Sequence, residues 1–190
     1  MNYQCLNALI CQGFKRKGRI LEKNIDLVYM TQPPKKWTFE QPKLKVWVEK
    51  WAYPPDGYFC LNLFAGKTKL GIREYRVDIS DEFNPDKVMD AYDFVMMCKE
   101  NKYQFGSIVW DPPYNLRKSR EKYKGKYVGS LTKIKNELSN ILIPGGKIVS
   151  LGYDTVGMSK SRGYQKIAVC VVCHNGDHND TLGLVEKKIK

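Results

Sequence analysis

Two spacings of apolar residues alternate along the chain beyond its first third. Short runs typical of buried strands lie at Tyr58–Phe64, Glu74–Ile79 and Phe105–Trp110. Apolar residues at helical spacing lie between and after these runs, in Ala91–Glu100 and Tyr127–Leu142. Because strands alternate with helices, the pattern predicts an α/β domain with a mostly parallel sheet and helical crossovers.

Further strands are predicted before and after the second of these helices. Lys87–Met89 is a short strand candidate, and the Pro-Gly-Gly at 144–146 is predicted to end the helix ahead of a strand at Lys147–Leu151. Tyr164–Cys173 and Thr181–Lys187 flank an Asn-Gly pair, which is typical of a hairpin turn. The sheet is therefore predicted to end in an antiparallel hairpin.

The first 52 residues show a weaker pattern. A short helix is predicted near Tyr3–Cys11, and the apolar residues Leu44, Val46 and Val48 at every second position predict a strand. A Pro-Pro-Asp-Gly turn follows at 54–57. We therefore predict an N-terminal extension over residues 1–52, which is a candidate substrate contact, and one domain over residues 53–190.

Composition and charge narrow the classes of partner. The chain has 190 residues, with 32 Lys and Arg against 20 Asp and Glu, and its net charge of +12 favours a polyanionic partner such as nucleic acid. No run of apolar residues is long enough to span a membrane. The basic cluster follows the first apolar run instead of preceding it, which is unlike a secretory signal, so a cytoplasmic location is predicted.

The cysteines raise the question of a metal or haem site. Cys170, Cys173 and His174 form a C-x-x-C-H string with His178 close by, a spacing shared by zinc sites and by c-type haem attachment. The string follows a predicted strand, and no second ligand pair has matching spacing. Buried thiols are therefore favoured over metal, and no metal is predicted.

Residues suited to a ligand lie where four predicted strands end. Phe64 ends the first strand, Ala65 and Gly66 follow it, and the other ends hold acids. Because parallel strands present their carboxyl ends at one edge, where such sheets bind ligands, these residues predict a nucleoside-type site. A glycine allows close approach of the backbone, and an acid after the second strand accepts from ribose hydroxyls. The acids and their neighbours are Asp78, Ile79, Asp90, Ala91 and Asp111.

The end of the fourth strand, Asp111-Pro112-Pro113-Tyr114, has its own chemistry. The two prolines lack backbone donors, so the loop presents a carboxylate and carbonyls, all of which are acceptors. Acceptors suit an exocyclic amino group, which has two N–H donors, and Tyr114 offers a ring on which a planar base can stack. The alternative is a turn that merely ends a strand. An amine held by both protons directs its lone pair at an electrophile, which favours positioning catalysis.

These residues resemble the motifs of amino-methyltransferases that use S-adenosylmethionine. Asp-Pro-Pro-Tyr at 111–114 resembles their catalytic motif, LFAG at 63–66 their cofactor loop, VDI at 77–79 their ribose-binding strand, and MDA at 89–91 the motif that contacts the cofactor adenine. The later strands, at 145–152 and 178–188, are also similar. The resemblance covers roughly residues 58–188 and implies a Rossmann-like class I methyltransferase fold, S-adenosylmethionine as cofactor, and a catalytic domain over residues 53–190.

The motif's spelling implies a substrate, and one departure from the family pattern concerns the cofactor loop. Asp-Pro-Pro-Tyr is commonest in DNA adenine-N6 methyltransferases, which implies adenine in DNA as the substrate. The span from Gly66 to Asp78 is short, so the usual first helix is predicted to be truncated or replaced by a loop.

The basic stretch after the motif is a candidate for contacts to backbone phosphates, through Arg117, Lys118, Arg120, Lys122, Lys124 and Lys126.

Other functions remain open at this point. An RNA base methyltransferase would share every pocket residue, and some RNA guanine enzymes carry the same motif. Cytosine-N4 enzymes more often have serine in place of the aspartate, and protein-glutamine enzymes usually have asparagine there. An inactive subunit that binds nucleic acid is the alternative outside enzymes, although such a subunit has no need to keep Asp111 and Tyr114.

Overall fold

The computed structural model describes residues 24–113, 131–176 and 179–190, so the predicted helix near Tyr3–Cys11 lies outside the described residues. No helix in these ranges is long and apolar enough to cross a membrane. The strands are β1 (Asp26–Thr31), β2 (Cys60–Leu63), β3 (Glu74–Asp78), β4 (Lys87–Val88), β5 (Phe105–Trp110), β6 (Leu142–Gly152), β7 (Tyr164–Cys173) and β8 (Thr181–Lys188). The α-helices are α1 (Pro42–Ala52), α2 (Ala91–Glu100) and α3 (Leu131–Ile141), and short 3-10 turns lie at Thr38–Glu40 and Lys160–Arg162.

The strands form one eight-stranded sheet in the order β1-β7-β8-β6-β5-β2-β3-β4. Every neighbouring pair is parallel except the two pairs that involve β8, which runs antiparallel to both β6 and β7. The centre is in simple register, with Leu61 opposite Ile108 and Ile108 opposite Ile148. The predicted α/β class, with a mostly parallel sheet and a C-terminal antiparallel hairpin, is confirmed.

Each face of the sheet is covered by helix, and alternation along the strands divides the core in two. Ile108 faces the layer that contains α2 and α3, whereas its neighbour Val109 faces α1. On the α1 side, Leu44 and Val48 are fully buried. The sheet is thus buried on both sides at its centre, which is typical of parallel sheets.

The predicted strand at Leu44–Val48 is wrong, because these residues lie in helix α1. The buried residues of this helix are Leu44, Trp47, Val48 and Ala52, a helical spacing, while Val46 is 65% exposed. Pro42 lies in the first turn of the helix, where a backbone N–H would have no acceptor within the helix. The lack of an N–H in proline therefore costs no helical hydrogen bond. The apolar residue at 46 produced the apparent alternation, but burial follows the helical period.

Strand β1 was not predicted from the sequence. It lies at the edge of the sheet and pairs in parallel with β7, with Val28 opposite Cys170. Val28 and Met30 pack against the core that contains α1. Residues 26–52 therefore share the sheet and one of its two cores with the rest of the described chain.

The Pro-Gly-Gly at 144–146 does not separate helix α3 from its following strand. The helix ends at Ile141 and β6 begins at Leu142, so this tripeptide lies inside the strand. Leu142 is fully buried and pairs with Phe105 before the register shifts to pair Lys147 with Ser107. The three residues therefore form an irregular segment within β6, which already pairs with β5 at Leu142, before the Pro-Gly-Gly.

A candidate nucleoside site at the carboxyl edge of the sheet

The sheet order brings four predicted strand ends to one edge. Strands β4, β3, β2 and β5 are consecutive neighbours and all run in parallel. Gly66 follows β2, Asp78 ends β3, Asp90 follows β4, and Asp111 follows β5. The residues proposed from separate parts of the sequence therefore lie at the carboxyl ends of adjacent strands, where α/β sheets hold ligands.

A pocket opens at this edge between the ends of β2, β3 and β4. Its apolar walls come from both strand ends and loops, and two carboxylates, those of Asp78 and Asp90, border it. Apolar walls with a few polar groups at fixed positions are typical of small-molecule sites. The lining residues are Phe64, Val77, Asp78, Ile79, Met89, Asp90 and Ala91.

Asp78 has a structural role at the site. It is 6% exposed, its Oδ2 accepts a hydrogen bond from the Gly66 N–H at 2.9 Å, and its Oδ1 accepts one from the Ser80 N–H at 3.0 Å. A carboxylate oxygen has two lone pairs, so each oxygen retains the capacity to accept from a ligand hydroxyl. Asp78 therefore links the end of β3 to the loop after β2 while bordering the pocket.

Asp90 is the N-cap of helix α2. Its Oδ1 accepts hydrogen bonds from the backbone N–H groups of Tyr92 at 2.8 Å and of Asp93 at 3.3 Å. Capping satisfies donors that the helix itself leaves unpaired. The sequence prediction assigned this acid to the cofactor alone and missed its second role.

Phe64 connects the end of β2 with the end of β5. Its φ is 68°, a left-handed conformation that is strained for a bulky residue and is enriched at functional sites. The ring packs edge-on against Trp110, with 5.2 Å between ring centroids and 83° between planes. Because Trp110 directly precedes Asp111, this contact couples the predicted cofactor loop to the predicted catalytic motif.

The predicted catalytic motif, Asp111–Tyr114, is described only in part. Asp111 and Pro113 are half-buried, and Pro112 is buried. Tyr114 and the six basic residues predicted to contact phosphates, from Arg117 to Lys126, lie outside the described residues. Their roles remain predictions.

The connection from β2 to β3 contains no helix, as the short spacing predicted. The Glu74 side chain, 7% exposed, anchors it by accepting from the Leu70 N–H at 2.9 Å and from Asn62 Nδ2 at 2.8 Å. Burial raises the pKa of Glu74. Arg76, which is 3% exposed, donates to the Gly66 carbonyl at 2.5 Å. A charged residue in a buried strand was a sequence signal for Arg76 that the prediction did not use.

The C-x-x-C-H string, Cys170 to His174, lies at the end of β7, and its histidine makes contacts within the fold. His174 lies with Nδ1 2.9 Å from the Gln32 carbonyl and Nε2 3.0 Å from Thr181 Oγ1, so both ring nitrogens have protein partners. Burial raises the pKa of Cys170 to about 11, which keeps the thiol protonated at neutral pH. Within the described ranges, no group of three or more residues is arranged to hold a metal ion, and His178 lies outside them.

Comparison with known proteins identifies the fold. No protein-family model and no curated protein matches the chain. Among solved structures, it matches TrmN from Thermus thermophilus with a TM-score of 0.52 and 17% identity over 78% of this chain, and it spans about half (49%) of TrmN. The N-methyltransferase NodS from Bradyrhizobium japonicum, in complex with S-adenosylhomocysteine, matches with a TM-score of 0.53 and 12% identity over 82% of this chain and 90% of NodS.

A third match is the 1,6-didemethyltoxoflavin-N1-methyltransferase of Burkholderia thailandensis, crystallised with bound 1,6-didemethyltoxoflavin and S-adenosylhomocysteine. Its TM-score is 0.54 at 9% identity, with 78% of each chain covered. Identities this low establish similarity of fold and nothing finer. The chain therefore has the Rossmann-like fold found in methyltransferases.

Proposed function

We propose that this protein transfers a methyl group from S-adenosylmethionine to the exocyclic amino group of adenine in DNA. One observation carries the proposal. The acceptor-rich Asp111-Pro112-Pro113 ends β5 directly beside β2, whose following loop borders a pocket with two carboxylates. A pocket whose lining suits a nucleoside and a loop that suits an amino group are thus adjacent on one edge of a fold found in methyltransferases.

The pocket residues fit the proposed cofactor. Val77 and Met89 supply apolar surface for an adenine ring, and Asp78 lies where it would accept from ribose hydroxyls. Asp90 and Ala91 would border the adenine, and Ala65 and Gly66 the amino-acid end. S-adenosylmethionine supplies an electrophilic methyl group when bound. Two of the structurally similar enzymes were crystallised with the demethylated product S-adenosylhomocysteine, which supports this choice.

The residues after β5 would orient the acceptor amine. Asp111 and the Pro112 carbonyl would each accept one N–H of the amino group, which leaves the nitrogen lone pair directed at the methyl carbon. Tyr114 would stack on the base. The proton displaced from nitrogen by methylation would pass to solvent. Catalysis would then come from positioning, with no strong base required.

Nucleic acid suits the charge and sequence of the chain. The net charge of +12 favours a phosphate backbone, and the basic residues from Arg117 to Lys126 directly follow the motif that would receive the base. The spelling Asp-Pro-Pro-Tyr favours adenine. A base in duplex DNA would have to leave the helix first, which costs a few kcal/mol.

The test is methyl transfer from labelled S-adenosylmethionine into unmethylated DNA and into RNA, followed by digestion to nucleosides. We expect labelled N6-methyladenine from DNA, lost in Asp111→Ala. Asp154→Ala is the matched control, because Asp154 is an exposed aspartate after the neighbouring strand β6 and its Oδ1 accepts from the Val156 N–H. Label in RNA alone, or in cytosine, would show that the substrate is RNA or cytosine instead of adenine in DNA. If neither nucleic acid is labelled and the protein does not bind the cofactor, the proposed enzymatic activity is wrong.

A further inference from the structure

The cofactor loop, Phe64–Gly71, has no helix of its own to stabilise it. It joins β2 to β3, and no part of this connection is helical. Its centre, Gly66, has φ +53°, a conformation favoured by glycine. A loop without a following helix must be held in position by contacts from other parts of the chain.

Two side chains of β3 hold the backbone of Gly66. Its N–H donates to Asp78 Oδ2 at 2.9 Å, and its carbonyl accepts from Arg76 Nη2 at 2.5 Å. Arg76 is itself restrained, because its Nη1 donates to the carbonyls of Phe83 and Asn84, each at 3.2 Å. Both backbone polar groups of Gly66 are therefore satisfied by buried, charged side chains.

Trp37 covers the remaining side of Gly66. A Cβ built on this glycine would lie 3.2 Å from Cε3 and 3.3 Å from Cζ3 of the indole, so the ring packs directly against the Gly66 backbone. The same indole meets Phe83 edge-on, with 5.0 Å between centroids and 77° between planes. Trp37 therefore contacts both the cofactor loop and the loop after β3.

The chain around Trp37 makes further bonds to the cofactor loop. Lys67 Nζ lies 3.2 Å from Glu40 Oε1, and the Gly71 N–H donates to Glu49 Oε1 at 2.5 Å. These contacts join residues that are far apart in sequence. The cofactor loop is therefore stabilised by residues 37–49 in addition to β3.

We propose that Trp37 is a positioning residue that holds the cofactor loop ready to bind S-adenosylmethionine, an inference that rests on the proposed function. Without the indole, Gly66 would lose its packing partner, and the ligand would have to order the loop when it binds. Ordering a loop upon binding weakens affinity, whereas a preformed loop avoids this loss. Trp37 need not touch the reacting atoms, so turnover at saturating cofactor should be unchanged.

The test is calorimetric binding of S-adenosylhomocysteine to the full chain and to three variants. We expect Trp37→Ala to raise the dissociation constant about tenfold, the upper range for loss of an aromatic contact. Trp37→Phe, which keeps a ring against Gly66, should change it by about threefold or less. Trp51→Ala is the matched control, since Trp51 is also half-buried, lies on α1 in the same segment and has a lysine over its ring.

The kinetic readout separates positioning from general stability. Trp37→Ala should raise KM for S-adenosylmethionine and leave kcat unchanged, whereas Trp51→Ala should lower the melting temperature and change neither constant. If wild-type protein binds and Trp37→Ala binds equally well, or no worse than Trp51→Ala, the positioning role is wrong and the proposed function stands. If wild-type protein fails to bind, the proposed function itself is wrong.

Discussion

Two neighbouring connections in this sheet are stabilised in different ways. The connection from β4 to β5 contains helix α2, which is capped by Asp90 and buries Phe94 and Val95 against the sheet. The connection from β2 to β3 contains no helix, and the side chains of Glu74 and Arg76 bond its backbone instead. Leu70 of this connection lies in the same core as α1, on the face of the sheet opposite α2, and α1 precedes β2 in the chain.

The difference shows how a fold can keep its architecture without one of its local parts. Helix α2 packs Phe94 against Tyr75 of β3 and Phe105 of β5, with ring centroids 5.9 and 6.3 Å apart. Helix α1 places Val48 in one core with Val149 and Val185, which lie about a hundred residues or more further along the chain. The connection without a helix thus shares a core with a helix from elsewhere in the chain, and its loop is stabilised by contacts that are distant in sequence.

The largest expected effect tests whether α1 is part of the domain. Trp47 is 5% exposed on α1 and Phe94 is 2% exposed on α2. We expect Trp47→Ala and Phe94→Ala each to lower the free energy of unfolding by about 3–5 kcal/mol in urea denaturation, because both remove a large buried ring. A main unfolding transition unchanged in Trp47→Ala would instead make residues 1–52 an independent extension.

A smaller effect separates the two roles of Asp90. Asp90→Ala removes the N-cap of α2 and should cost about 1 kcal/mol of stability, whereas Asp90→Asn keeps a capping oxygen and should be nearly neutral. Both variants lose the charge that borders the pocket, so both should bind S-adenosylhomocysteine more weakly. Thermal melts and calorimetry on the same samples distinguish the roles. Weaker binding only in the alanine variant would mean that Asp90 acts through the helix alone.

The smallest effect concerns the anchors of the helix-free connection. Burial raises the pKa of Glu74 above its ordinary value of 4.5, so the folded protein holds a proton there more tightly than the unfolded chain does. The stability this group contributes is full below that ordinary value and is lost as the pH rises through the raised pKa. Relative to Glu74→Gln, wild-type protein should therefore lose stability as the pH rises.

Urea denaturation at a series of pH values from acidic to neutral measures this difference. Glu82→Gln is the control, since Glu82 is an exposed glutamate of the loop after β3. A stability difference between wild-type protein and Glu74→Gln that stays constant with pH would show that Glu74 does not titrate in this range.

Sequence patterns predicted the elements whose burial follows from local spacing. Ala91–Glu100, Phe105–Trp110 and Tyr164–Cys173 have the predicted bounds. The prediction of a strand at Leu44–Val48 was wrong because the apolar pattern of these five residues fits both the strand period and the helix period. Contacts with distant strands favour the helix. Strand β1 was missed because an edge strand with one exposed face has a weak pattern, with Leu27 being 70% exposed.

The candidate site divides in the same way. The common position of Gly66, Asp78 and Asp90 was predictable, because each follows or ends a parallel strand and the carboxyl ends of these strands lie at one edge of the sheet. Trp37 was not found, because nothing in the sequence around it indicates a contact with a glycine nearly thirty residues later. The position of a residue at the end of its own strand can be predicted from the sequence pattern. A contact between a residue and a distant loop can be seen only in the folded structure.

The most direct test of the candidate nucleoside site is calorimetric titration of S-adenosylhomocysteine into wild-type protein, Asp78→Asn and Asp81→Asn. Asp81 is an exposed aspartate three residues further along and serves as the matched control. We predict one binding site in wild-type protein, affinity weakened about tenfold or more in Asp78→Asn through loss of charge-assisted hydrogen bonds, and wild-type affinity in Asp81→Asn. Undiminished binding by Asp78→Asn would contradict the site, and no binding by wild-type protein would contradict the function.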